Sequence, residues 1–154
     1  MKIIKYILLG LGSIFAIFLI FAAFTAVDSY SIKQENELFV KNFAESFSQN
    51  WDIEHVKKDL TSELINQIGT PEGKRIIKIF ESYGRLVEMD DIAFKHFKSN
   101  FNGEKIIQLE FNAKYEHGLA VVTITLQEKN DIVKVHGFHI DPVTDMSKQK
   151  EFSA

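Results

Sequence analysis

Residues Tyr6 to Val27, YILLGLGSIFAIFLIFAAFTAV, contain no charged side chain, and Lys2 and Lys5 stand just before them. At about 1.5 Å of rise per residue, such a stretch makes a helix long enough to cross a hydrocarbon core of roughly 30 Å. A secretory signal starts in the same way, so length and the cleavage site must separate the two. The run is longer than the usual apolar region of a signal. Its small-x-small cut sites are poor: a break after Ala26 places Phe24, and a break after Ala23 places Phe21, where a small residue belongs. A break after Thr25 is the tolerable one. An uncleaved anchor over residues 1–28 is therefore expected. Lysines precede the span, whereas Asp28, Lys33, Glu35 and Glu37 follow it with mixed sign, so the N-terminus is expected in the cytoplasm. In a bacterium that predicts a single-pass inner-membrane protein with a periplasmic or extracellular domain.

Residues 29–141 have the length of one soluble domain, and the polar run 142–154 reads as a disordered tail. Apart from Lys2 and Lys5, 16 basic residues face 21 acidic ones, a net charge of −5 that is a poor footprint for nucleic acid. The absence of cysteine excludes disulfides, a thiol nucleophile, cysteine-type zinc sites and a lipoprotein anchor.

Helices come first. Ser31 and Gln34 have the form of a capping box, and Phe39, Val40, Phe43, Ala44 and Phe47 then recur at the spacing of one buried helix face. Trp51 closes that segment and is expected to plug the core. Asp52 caps a short second helix through Val56 and Leu60; Thr61 or Ser62 restarts a turn bearing Leu64, Ile65 and Ile68, which Gly69 stops. Thr70-Pro71-Glu72 is a strong helix start, with a capping hydroxyl, proline at the first position and an acid near the positive end of the dipole. Ile76, Ile77 and Phe80 are expected on the inner face of that helix, with Gly84 in a left-handed conformation beyond its end.

From Leu86 the period becomes two. A first strand is expected over Leu86 to Phe97, with a possible break at Met89-Asp90-Asp91, and Asn102-Gly103 supplies a hairpin turn. The second strand alternates most clearly: Ile107, Leu109, Phe111, Ala113 and Tyr115 on one face, Gln108, Glu110, Asn112 and Lys114 on the other. A third spans Leu119 to Gln127, and a fourth spans Ile132 to Ile140 after the Asn130-Asp131 turn. Short connections make neighbours antiparallel. The expected fold is α+β: a transmembrane helix, then about three helices packed on a four-stranded antiparallel meander sheet.

Helices followed by a meander that ends in Val135-His136-Gly137-Phe138-His139-Ile140 resemble the cystatin-like and nuclear-transport-factor-2-like cone folds, over residues 31 to 141. The resemblance is one of architecture. It implies a scaffold that hosts isomerases, dehydratases, ligand carriers and purely protein-binding modules.

The polar positions of strands two to four nominate Glu110, Asn112, Thr123, Thr125, Lys134 and His136 as a ligand-binding group, should the sheet curl over them. An antiparallel sheet with one face in water needs such residues anyway. Glu110 and His136 lie two strands apart, about 10 Å even when level, too far for direct proton exchange. No catalytic residue is nominated. His136 and His139, three apart on a strand, point to opposite faces, and His55, His96 and His117 are scattered, so no metal site is expected. No cofactor-binding motif is present. The leading reading is a non-catalytic interaction or accessory module with a protein partner; the alternative is a carrier or isomerase-like domain with a small apolar ligand between sheet and helices. The chain is expected to stay with membranes after alkaline washing and to keep its first residues by mass, whereas a product beginning near Ala26 would remove the anchor.

Overall fold

Alternation on one strand organises the sheet. The computed structural model describes residues 34–143. The predicted span, Ser31 and the tail from residue 144 lie outside that range. Among the described residues no helix is long and apolar enough to cross a membrane. Strands β1 (Leu86–Met89), β2 (Ala93–Ser99), β3 (Lys105–Tyr115), β4 (Gly118–Lys129) and β5 (Ile132–Pro142) form one antiparallel sheet. On β3, Ile107, Leu109, Phe111 and Ala113 turn inward and face Leu126, Ile124, Val122 and Ala120 of β4 in direct register, all of them buried. β5 continues on the far side of β4, while β1 and β2 lie end to end along the other side of β3.

The first expected strand is thus two strands, and the sheet has five rather than four. The break has a local cause. Asp90 still donates its N–H to the Asn112 carbonyl at 3.1 Å, but its carboxylate accepts from both the backbone N–H and the side-chain amide of Asn112, each at 2.8 Å, so a side chain does the work of a backbone carbonyl. Ile92, just beyond, turns fully inward. A second irregularity lies on β5: Thr125 pairs with Gly137 but Leu126 pairs with Val135, which leaves His136 as the extra residue of a bulge.

Among the described residues four helices precede the sheet: α1 (34–48), α2 (Ile53–Val56), α3 (Ser62–Gly69) and α4 (Pro71–Glu81), with a 3₁₀ turn at Lys57–Asp59. Helix α1 buries Val40, Phe43, Ala44 and Phe47 as its spacing predicts, while Phe39, expected on the same face, is only half-buried. Asp52, Thr61 and Thr70 cap α2, α3 and α4 through their side-chain oxygens. Thr61 also ties α3 to the sheet, because its N–H donates to the Val135 carbonyl beside a parallel bridge between Leu60 and Val135.

The inner face of α4 is only partly covered: Ile76, Ile77 and Phe80 turn toward α1 and β5 as their spacing predicts, but Ile76 is 41% exposed, and Ile79 is 55% exposed. The helix does not lie flat on the sheet. It packs against α3 and reaches the core through Phe80, whose ring sits 5.9 Å from Trp51 and 5.8 Å from Phe138.

The close pairing of α3 with α4 depends on Gly73. A methyl group there would lie 2.6 Å from the Ile68 Cα and 2.8 Å from its carbonyl oxygen, and would also strike the Gln67 carbonyl. All of these are backbone atoms that cannot rotate away. Gly73→Ala, which helix propensity alone would favour by about 1 kcal/mol, is expected instead to lower the urea midpoint by an equivalent of about 1–3 kcal/mol. A raised midpoint would show that the two helices are not locked together.

Candidate functional site

Two regions compete for the role. The first is the polar sheet face nominated by the sequence. Glu110 pairs in register with Thr123, which pairs in turn with His139, and Lys95 holds Glu110 at 2.8 Å. Asn112 is occupied by Asp90. Thr125 faces Gly137, and Lys134 faces Gln127. These five candidates share the face turned away from the helices. His136 is separated from them: its Nδ1 lies 3.4 Å from the buried Thr61 hydroxyl, where the bulge brings β5 against the start of α3. The histidine level with Glu110 is His139, again two strands and about 10 Å away. His139 leans on Asp141 at 3.0 Å.

The second region was anticipated only as a generic gap between sheet and helices. It is a cleft of ≈290 Å³ between α1, α3, α4 and β5. Phe43 and Phe47 come from α1, Leu64 and Ile68 from α3, Ile76, Ile77 and Phe80 from α4, and Phe138 from β5. The cleft exists because the α3–α4 pair is held at two places. Thr61 fixes the start of α3 to β5, and Phe80 fixes the end of α4 to Trp51, so the middle of the pair stands off the sheet. None of the six nominated residues lines it. Glu72, beside Arg75 at the rim, is the single ionisable residue among those that do.

No family model, curated protein or solved structure matches the chain. The chemistry must therefore be read from the arrangement itself.

Carboxylates whose proton affinity is displaced are displaced downward. Asp52 is held low by the Glu54 N–H and then by His55. Glu104 is held low by Gln127 and Asn102. Glu116 is held low by the Arg85 N–H and then by the Arg85 side chain. Each belongs to a turn or cap outside the cleft, and a lowered carboxylate is the opposite of what a general acid needs. Burial pushes the Tyr115 and Tyr83 phenols up, which keeps both neutral. Among the described residues no three His, Asp or Glu side chains gather as metal ligands.

Glu116 locks the turn between β3 and β4 to the segment after α4, through the Arg85 N–H at 2.9 Å and the guanidinium at 2.8 Å. Because its folded proton affinity is lowered, its contribution is complete above the unfolded carboxylate pKa and is lost as pH falls through the folded value. Glu116→Gln is expected to flatten the acid side of a stability profile read from urea midpoints between about pH 6 and pH 3. An unchanged slope would mean that other carboxylates carry the acid sensitivity.

Proposed function

We propose that the chain is a single-pass membrane protein whose extracytoplasmic domain, built like a cystatin-like or nuclear-transport-factor-2-like cone, is a non-catalytic interaction module. The membrane-tethered part of this reading comes from the apolar run at residues 6–27 and the lysines before it. The interaction part is carried by one observation: the cleft between the helices and β5 is walled by aromatic and aliphatic side chains and has no acid–base pair on its wall. Such a surface binds by removing apolar area from water rather than by moving protons. Its fitting occupant is an apolar side chain, or two, presented by a partner protein. Ile76 on that wall is 41% exposed, so part of the apolar surface is open to a partner.

The volume of the same cleft, ≈290 Å³, supports a second reading. It stands at the lower edge of the range of small-molecule pockets, roughly 300–1,000 Å³, so a small apolar ligand is the alternative occupant.

A photo-crosslinking residue in place of Ile76, in the full chain and in its own membranes, separates the two readings. An adduct of protein mass from position 76, absent from position 123 on the sheet face, is expected. A small-molecule adduct at position 76 would favour the carrier. Ile76→Glu is expected to abolish partner co-purification while changing stability by less than about 0.5 kcal/mol, since the side chain is exposed. Retention of the same partner by Ile76→Glu would overturn the assignment of the cleft.

A further inference from the structure

Among the described residues, three of the five exposed large apolar side chains outside α4 lie at one end of the sheet, the others being Leu38 on α1 and Val87 on β1. Phe101, in the turn between β2 and β3, stands fully clear of the domain; Phe97 beside it is 38% exposed, and Ile132, at the start of β5, is 60% exposed. Ser99 pairs with Lys105, Lys105 with Glu128, and Lys129 with Ile132, so both hairpin tips lie at the same end. The charges there nearly cancel: Lys98, Lys105, Lys129 and Lys134 against Glu104, Glu128 and Asp131, with Lys105 on Glu128 at 2.6 Å. A projecting phenylalanine on a nearly neutral tip suits the boundary between lipid headgroups and acyl chains, and a single excess positive charge is a weak electrostatic reason to prefer nucleic acid or anionic lipid.

The start of α1 points toward the same end of the sheet. Ser48, at the end of α1, accepts from the Leu86 N–H, and Leu86 pairs with Tyr115. Two turns earlier Lys41 shares a groove with Met89, which pairs with Ala113. Helix α1 therefore starts toward the hairpin tips and runs away from them. Its first described residue, Gln34, follows Val27 by seven positions, a tether of at most about 25 Å when extended.

We propose that the β2–β3 hairpin, led by Phe101, inserts into the interfacial zone of the bilayer that holds the anchor and fixes the domain's orientation over it. This rests on the membrane-tethered reading above, and the test separates the two. The chain has no cysteine, so Ser99→Cys offers one labelling site beside the tip. The full chain, labelled there with an environment-sensitive dye, is reconstituted into phosphatidylcholine vesicles that carry doxyl-labelled lipid. Lys78→Cys on α4, toward the opposite end where Phe80 meets Trp51, serves as control.

Quenching at position 99 well above that at position 78 is expected. Phe101→Ser in the Ser99→Cys background should remove at least half of it, and added salt should reduce it far less than Phe101→Ser does, because the local charges nearly cancel. Equal quenching at the two positions, or quenching indifferent to Phe101→Ser, would overturn the insertion. Shielding from aqueous iodide without lipid quenching would indicate a second copy of the chain at the tip, and would overturn it as well. Flotation of the same vesicles reads the tether alone. A chain that floats with an unquenched tip loses only this inference, and one that fails to float loses both.

Discussion

Trp51 joins α1, α4, β3 and β5, and the helical layer depends on it. Its backbone turns into the left-handed region at φ 54°, and its N–H donates to the Phe47 carbonyl at 2.8 Å, which ends α1. Its indole N–H donates to the Gly84 carbonyl at 3.0 Å, which holds the segment after α4. The ring lies 5.3–6.5 Å from Phe47, Phe80, Tyr115 and Phe138, and is itself 4% exposed. A bulky residue at positive φ costs about 1–3 kcal/mol. Burial of a large aromatic side chain, worth a similar or greater amount, offsets that cost. The polar tip of the indole has a partner, as a buried N–H requires.

The candidate site is a consequence of where that anchorage stops. Trp51 and Phe80 draw the end of α4 onto the sheet, and Thr61 draws the start of α3 onto β5. Between the two attachments α3 and α4 hold each other through the close approach at Gly73 rather than the sheet. The space beneath them is lined by side chains that water wets poorly. The opposite face of the sheet is occupied differently. Its carboxylates and amides are bound to neighbours, as in Lys95 with Glu110 and Asp90 with Asn112, so it has the character of a solvated sheet surface.

Much of this was legible in the residues. The alternation over Ile107 to Tyr115, the helical spacing from Val40 to Phe47 and the capping oxygens at Asp52, Thr61 and Thr70 act over a few neighbours, and each appears where its pattern places it. The bulge on β5 was not read, although a trace of it was present. Val133 and Val135 are out of phase by one residue with Phe138 and Ile140, and one extra residue, His136, absorbs the slip. That slip moves His136 away from the polar group and leaves His139 level with Glu110. The exposure of Ile76 was not legible for another reason: spacing finds the apolar side of a helix but not how far the helix stands from its neighbour.

The sequence by itself determined the class of fold, the antiparallel order of the meander and the apolar run that predicts an anchor, because each follows from local periodicity, turn chemistry or the length of an uncharged stretch. Only the tertiary structure decided that the apolar face of α4 is left partly open, that His136 sits against Thr61, and that the tips bearing Phe101 and Ile132 lie together. Those facts depend on contacts between residues far apart in the chain, whose distances are set by packing around Trp51 and by the register of β3, β4 and β5. No local pattern encodes a separation between two elements that only a third holds in place.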